Sequence, residues 1–234
     1  GCYNNLADPS LISTVPVVRQ TVALASQILE DAGHKVVNFN PPKPLLAHHL
    51  ALRAVTADGG RALRSWLRYE QLCPQVSTIF LVTSLPYCLK LFSNLLLCAF
   101  GYRPLAVAHT LCGLSTGREA VKLLNAIEDY RQQFFKACQN AGPLDAIICP
   151  VVPYPAPPNN RPMIALPSIV YTSIFNLVDL PAGTVPLGTV EEADIISAST
   201  SAIDFHFAGR CFDASIMASM QSSKGLPLSV QVIG

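Results

Sequence analysis

The sequence carries little charge and no excess of either sign. Of its 234 residues, 16 are Lys or Arg and 15 are Asp or Glu, which gives a formal net charge of +1. A protein that binds a phosphate backbone needs a basic surface to displace counterions, and this composition offers none. We therefore expect no nucleic-acid partner.

The spacings of a metal site or a disulfide scaffold are also missing. The eight cysteines include no C-x-x-C pair, and most of them lie in apolar stretches. His48 and His49 are adjacent, so on a helix their rings would point about 100° apart. The sequence predicts reduced, buried thiols in a cytosol-facing protein, no metal site and no cofactor.

The first residues contain no basic and apolar leader of the kind that directs secretion. The chain opens at Gly1 rather than Met. We expect it to be a piece of a longer protein.

Hydrophobic residues make up half of the chain, which is enough for a sizeable core. After Asp8, apolar residues recur at helical spacing from Val15 to Ala32, and Gly33 then provides a stop. The spacing predicts one amphipathic helix.

Three strands are predicted after this helix, at residues 35–39, 144–151 and 226–233. The region between the first two strands, residues 45–141, is predicted to be mostly helical. Helices that alternate with strands predict an α/β architecture.

An unusually apolar segment, residues 78–102, has Lys90 as its single charge and is long enough to cross a bilayer. Pro86 interrupts it, which favours two shorter helices that lie in the plane of a membrane. A membrane span, a buried helix pair and a dimer interface remain open.

The sequence GLSTG at residues 113–117 matches the G-x-S-x-G pattern of a nucleophile elbow. It follows a plausibly extended run and precedes a predicted helix, as an elbow does. Ser115, then Asp145 or Asp179, then His206 would complete the order of an α/β-hydrolase triad.

The same residues also match a capping box. Thr116 and Glu119 form T-x-x-E directly before an apolar periodicity, which is typical of a helix start. The pattern alone leaves both interpretations open.

A second serine-rich piece, Ser222-Ser223-Lys224, consists of sequence neighbours. Adjacent side chains diverge and cannot form a proton relay. We predict a polar turn that ends at Gly225.

Residues 171–190 combine apolar side chains with Asn176, Asp179 and several prolines and glycines. Proline fixes φ and glycine permits close backbone approach, so the segment predicts a shaped, largely buried turn rather than a helix or strand. A buried Asn176 would need a fully hydrogen-bonded amide. A structural role and a substrate-binding role remain open.

This segment resembles the C-terminal region of the amidase signature family, which carries a Y-T-x-x-x-N-x-x-D-x-P-A-G-x-V-P run. The resemblance is greatest to the fatty-acid amide hydrolases and covers nearly the whole chain. Further matching pieces agree in order along the chain: Ala32-Gly33-His34, Asp58-Gly59-Gly60-Arg61, Ile127-Glu128 with Tyr130-Arg131-Gln132, Leu144-Asp145 to Pro150, and Gly225-Leu226-Pro227 with Val230-Gln231.

The resemblance implies an α/β amidase signature fold, a mixed sheet flanked by helices. Residues 1–234 would form the C-terminal part of one amidase domain, with residues 78–111 as a helical membrane-binding cap. The protein would act at a cytosol-facing endomembrane such as the endoplasmic reticulum, as a peripheral or monotopic membrane protein. A homodimer remains open.

The resemblance also implies hydrolysis of long-chain fatty acid amides, or related esters, by a serine nucleophile, a bridging serine and a lysine base. No G-G-S-S-G-like sequence occurs in the 234 residues. We therefore expect the Ser-Ser-Lys triad upstream of residue 1 and expect this chain alone to be inactive. A non-catalytic lipid-binding truncation is the alternative.

Carried over position by position, the wall of the family's acyl channel falls on seven residues. Thr56 and Val107 stand where the family has aromatic residues, and Ser173 stands where it has valine, so we expect a different channel width. Ordinary core packing is the alternative for each. The seven are Val55, Thr56, Ile79, Val107, Leu166, Ile169 and Ser173.

Overall fold

The computed structural model describes residues 1–6, 8, 11–71, 85–99, 113, 114, 116–159, 166–201 and 210–234. Within these ranges a short 3-10 helix spans Leu166–Ile169. The α-helices are α1 (Pro16–Asp31), α2 (Pro44–Val55), α3 (Arg61–Trp66), α4 (Tyr87–Ala99), α5 (Gly117–Asn140), α6 (Val170–Val178), α7 (Glu192–Ser201) and α8 (Arg210–Gln221), and the strands are β1 (Ile147–Pro150), β2 (Ala182–Thr189) and β3 (Pro227–Ile233).

Helix α1 confirms the first predicted helix and its stop. Pro16 occupies the first turn, where its missing N–H is not needed. At the other end Gly33 has a φ of 89°, its N–H donates to Glu30 O, and His34 N–H donates to Leu29 O. This pair of bonds is a Schellman motif, which ends the helix at a residue free to adopt positive φ.

The three strands form one sheet in the order β1-β3-β2, with both pairs antiparallel. Cys2 adds single parallel bridges to Ile148 and to Asn38, so the sheet is mixed. Strands β1 and β3 confirm two of the predicted strands. The predicted strand at residues 35–39 is wrong, since this segment pairs only through the bridge at Asn38 before Pro41 and Pro42 follow.

Helices cover both faces of the sheet. On one face α1 packs through Val22 and Ala25 against Ile148 of β1 and Val230 of β3. On the other face α2, α5 and α6 enclose a larger core with many aromatic members. Phe134 is fully buried there and meets the rings of Phe39 and Phe175 edge to face, at centroid distances of 5.7 and 6.4 Å.

Residues 171–190 do not form the predicted turn. They form most of α6, which is largely buried, and all of β2, which is largely exposed. Asp179 ends α6 in the left-handed conformation, with a φ of 62°. Asn176 is exposed, so the predicted burial of its amide is wrong.

The region predicted to be mostly helical, residues 45–141, is mostly helical where it is described, with turns between α2 and α3 and after α3. Two backbone hydrogen bonds join the residues just after α2 to the residues just before α5. Gly113 N donates to Thr56 O at 3.0 Å, and Leu114 N donates to Ala57 O at 2.9 Å. Asp58 accepts from the N–H groups of Gly60 and Ala62, both at 2.7 Å, and so caps α3. These backbone donors lower the pKa of Asp58.

Helix α4 is the described part of the predicted cap. It begins directly after Pro86, as the predicted break requires, whereas residues 78–84 and 100–111 of the cap lie outside the described residues. Its exposed apolar side chains are Leu89, Leu91, Phe92, Leu95 and Leu96. Among the helices in the described ranges, none combines the length and hydrophobicity needed to cross a bilayer.

Candidate functional site

Of the seven predicted channel residues, five lie at the end of α2, on the 3-10 helix and on α6, and two lie in segments that the structure does not describe. Val55 ends α2 and is 83% exposed, and Thr56 caps α2 with its hydroxyl donating to Leu52 O at 2.7 Å. Ile79 and Val107 lie outside the described residues.

The remaining three lie on the 3-10 helix and α6. The backbone of Leu166 opens the 3-10 helix, Ile169 is 38% exposed, and Ser173 of α6 is buried. Helices α2 and α6 pack against each other, so the structure brings the two described parts of the predicted wall onto neighbouring elements.

Ser173 has an unusual environment within this wall. Its hydroxyl is buried and makes no hydrogen bond to any residue that the structure describes. The neighbouring Thr172 donates to Ile169 O at 3.1 Å. A buried, unpaired hydroxyl costs about 1–3 kcal/mol, so the Ser173 hydroxyl favours a partner that the described residues do not supply.

Helix α6 is held to the sheet by Gln231 of β3. The buried Gln231 amide donates two bonds of 2.7 Å, to Tyr171 O at the start of α6 and to Pro150 O at the end of β1. Sequence reasoning noted Gln231 only as part of the family pattern. The signal for this anchor was present, because an amide within an apolar strand needs buried partners.

Helix α6 is also tied to the start of the chain through Tyr171. Its hydroxyl lies 3.0 Å from Ile12 O and 3.1 Å from Asn5 Oδ1, and it accepts from Leu6 N at 3.5 Å. Burial raises the pKa of Tyr171 well above its ordinary value, so the hydroxyl stays protonated and acts as a hydrogen-bonding group.

An open groove of about 640 Å³ lies beside α6, on the side of α5. Arg131 projects from α5 and its Nε donates to Leu177 O at 2.8 Å, near the end of α6. The groove is lined by charged side chains of both signs, including Glu128, Lys136 and Asp179. Such a lining does not suit an acyl chain, and none of the described channel residues contributes to it.

The GLSTG segment contains a helix cap. Thr116 is the N-cap of α5, and its Oγ1 accepts from Glu119 N at 3.2 Å. The capping interpretation is therefore confirmed. Ser115 and His206, which the elbow hypothesis requires, lie outside the described residues.

The Ser222-Ser223-Lys224 turn is confirmed. Ser223 Oγ donates to Met220 O at 2.6 Å, and Ser222 Oγ bonds Ser219 O at 3.1 Å. Lys224 forms an exposed ion pair with Glu192 at 2.9 Å. Each polar group has its own local partner, and Gly225 follows with a φ of 77°.

Free thiols are found at Cys2, Cys88, Cys138 and Cys149. Cys149 is buried, and burial raises its pKa to about 12, so it remains a protonated thiol. Cys88 is exposed, contrary to the expectation of buried thiols. Its position on the exposed side of α4 explains the difference.

Comparison with known proteins decides the family. The family model described as Amidase matches residues 6–234. The chain belongs to the amidase family. Among curated proteins, this amidase is 31% identical to Fatty-acid amide hydrolase 1 of Sus scrofa over 93% of the chain and 37% of the relative. It is 28% identical to Fatty acid amide hydrolase 1 of Caenorhabditis elegans over 80% of the chain and 32% of the relative.

A solved structure agrees with the amidase fold. A chain described as Fatty acid amide hydrolase covers the whole of this amidase with a TM-score of 0.65 and 16% identity, and this chain covers 36% of it. The amidase thus spans about a third of the length of these relatives. The recognition made from the sequence is confirmed, and the family match argues against an α/β-hydrolase elbow at Ser115.

Proposed function

We propose that this chain is the C-terminal part of an amidase that hydrolyses long-chain fatty acid amides, or related esters, to a free fatty acid and an amine. The observation that carries the proposal is the family match over residues 6–234, together with two relatives whose names state that activity. The serine nucleophile, the bridging serine and the lysine base would lie upstream of residue 1.

The part played by residues 1–234 is to bind and orient the acyl chain. The end of α2, the 3-10 helix and α6 would form one wall of the acyl site, with the exposed Val55 and Ile169, the half-buried Thr56 and the buried Ser173 on it. The Gln231 and Tyr171 anchors hold the start of α6, and the bond from Arg131 Nε to Leu177 O holds its end. They support this role, because a wall held at both ends fixes the substrate relative to the nucleophile.

Hydrolysis of a series of amides with acyl chains of different length tests this function. A version extended N-terminally from its own transcript should hydrolyse long-chain fatty acid amides, with short-chain amides turned over poorly. Residues 1–234 alone should show no turnover. An extended protein that prefers short, polar amides would contradict the proposed substrate class.

The wall has its own test in the extended protein. Ser173→Val replaces the buried hydroxyl by an apolar group, and we expect it to change the preference among acyl chains while leaving the protein folded. Ser229→Val, the same change at a half-buried position on β3, is the control and should leave the preference unchanged. Equal acyl-chain profiles in all three proteins would show that Ser173 is ordinary core.

We further propose that α4 lies against a cytosol-facing membrane surface, with the endoplasmic reticulum as the expected location. Five apolar side chains of α4 are exposed, Leu95 among them at 68%. If about four of these side chains enter the acyl region at roughly 1.5 kcal/mol each, attachment is comparable to that of one myristoyl chain and is reversible.

Vesicle flotation tests the membrane proposal. Leu95→Asp on α4 should reduce the fraction bound to phosphatidylcholine vesicles several-fold. Leu124→Asp is the matched control, since Leu124 of α5 is exposed to a similar degree but lies outside the cap. Equal vesicle binding by both variants and the parent would show that α4 does not contact the membrane.

A further inference from the structure

Helix α3 and the turn that follows it hold the densest group of cations in the sequence. Arg61, Arg64 and Arg68 recur at intervals of three and four residues, the spacing of neighbours on one side of a helix. Glu70 is the single acidic residue between positions 61 and 70. The whole chain has a formal net charge of only +1, so this segment concentrates positive charge that the rest of the chain lacks.

Two aromatic side chains accompany these arginines and face solvent. Trp66 is 77% exposed and Tyr69 is 91% exposed, and no residue of α3 is buried. The guanidinium carbon of Arg68 lies 5.6 Å from the centroid of the Tyr69 ring, within the range of a cation–π contact. Exposed Trp and Tyr beside arginine are typical of a membrane–water interface, where one end of each side chain is apolar and the other is polar.

The backbone of α3 is fixed by residues other than its exposed cations. Asp58 accepts from the N–H groups of Gly60 and Ala62, and the Arg64 guanidinium donates to Gly59 O. The side chains of Arg61 and Arg68 are exposed. The fold therefore presents both cations, together with the two rings, on a segment of defined shape.

Helix α4 does not supply charge of this kind. Lys90 is the single charged residue between positions 78 and 102, and its side chain is buried. The exposed apolar side chains of α4 suit the acyl region, but they do not distinguish one headgroup from another. An apolar contact comparable to one myristoyl chain holds a protein only reversibly, and a basic patch is the usual second signal.

We propose that Arg61 and Arg68, with Trp66 and Tyr69, form a headgroup-binding surface for anionic phospholipid such as phosphatidylserine. The guanidinium groups would pair with the phosphate and carboxylate groups of the lipid, while the rings lie at the level of the headgroups. This inference rests on the proposed function, in which the amidase works at a membrane surface. It adds a preference for anionic lipid that α4 alone would not give.

Vesicle flotation tests this surface, with phosphatidylcholine vesicles that contain or lack phosphatidylserine. The double variant Arg61→Gln/Arg68→Gln should lose affinity for the anionic vesicles by about fivefold per arginine, and its binding to pure phosphatidylcholine should stay unchanged. Arg61→Lys/Arg68→Lys keeps both charges and should keep the preference. Lys122→Gln/Lys136→Gln is the matched control, because both lysines are exposed on α5. Urea denaturation of each variant shows whether the fold is retained.

Trp66 provides a second readout without any substitution, since it is the only tryptophan of the chain. In residues 1–234, anionic vesicles should shift its emission to shorter wavelength and protect it from quenching by acrylamide. High salt should reduce both effects, because it screens the arginines from the lipid. Unchanged emission from protein that floats with the vesicles would place Trp66 away from the membrane and would overturn the inference.

Failure of this inference and failure of the proposed function give different results. Equal binding of Arg61→Gln/Arg68→Gln and the parent to anionic vesicles would reject the headgroup surface, even if the N-terminally extended protein hydrolyses fatty acid amides. Arginine-dependent binding by an extended protein without such hydrolysis would keep the surface and reject the function. Arginine dependence in residues 1–234 that is absent from the extended protein would show that upstream residues cover α3, and would contradict the inference.

Discussion

Gln231 joins three elements through one side chain. Its Nε2 donates to a carbonyl at the end of β1 and to another at the start of α6, while its backbone belongs to β3. A neutral amide suits two carbonyl acceptors, whereas a carboxylate would repel both. The residue therefore fixes where α6 lies on the sheet.

We predict that Gln231→Met lowers the free energy of unfolding by about 2–4 kcal/mol, because two buried carbonyl groups lose their donors. Urea denaturation measures the change. Gln139→Met is the matched control, since Gln139 lies exposed near the end of α5 and should change stability by less than about 0.5 kcal/mol. Similar effects of the two variants would contradict the anchoring role.

His48 introduces a pH dependence of stability. It is buried on α2, and its Nδ1 has no hydrogen-bond partner within the described part of the chain. Burial, and to a smaller extent the proximity of His49, lowers the pKa of His48 to about 4. The unfolded chain takes up this proton near pH 6.5 and the folded chain near 4, so stability contributed by neutral His48 is present above pH 6.5 and lost as pH falls toward 4.

We predict that His48→Leu removes up to about 3 kcal/mol of the loss in unfolding free energy between pH 7 and pH 4. Parallel denaturation curves of the parent and the variant isolate this contribution from that of the carboxylates and of the half-buried His49. A pH profile identical in the two proteins would show that His48 is protonated equally well in the folded and unfolded states.

The start of helix α5 illustrates how one sequence pattern fits two interpretations. GLSTG fits both an elbow and a cap, and the bond from Glu119 N to Thr116 Oγ1 confirms the cap. We predict that Thr116→Ala lowers the free energy of unfolding by about 1 kcal/mol. Ser115→Ala, one residue away, should leave both stability and the activity of the extended protein unchanged. Denaturation curves and fatty acid amide hydrolysis assays of both variants check this. Loss of activity in Ser115→Ala would favour the nucleophile-elbow hypothesis instead.

The α6 and β2 segment shows where sequence reasoning failed. Its prolines and glycines indicated a turn, yet Pro181 precedes β2 and Pro186 lies on the outward side of an edge strand, where proline is tolerated. Asp179, in the left-handed conformation, supplies the sharp change of direction between α6 and β2. Local composition identified the break correctly but could not reveal regular elements on both sides of it.

At the level of the whole molecule, the parts best predicted from sequence are those with strong periodicity. Helix α1 and strands β1 and β3 have apolar faces buried against each other, so their patterns reflect their packing. The bridge at Asn38 and the exposed β2 depend on partners distant in sequence, which a local pattern does not encode. The channel residues were predicted from the family resemblance rather than from periodicity. What the structure adds for them is that α2 and α6, which carry described members of the set, are neighbouring helices.

Labelling with a fluorophosphonate serine probe tests the central claim most directly. Residues 1–234 and the version extended N-terminally from its own transcript are treated in parallel, and the labelled residue is mapped by peptide mass spectrometry. The account predicts labelling of the extended protein alone, at a serine upstream of residue 1. Labelling of residues 1–234 that disappears in Ser115→Ala would contradict it and place the nucleophile at the start of α5.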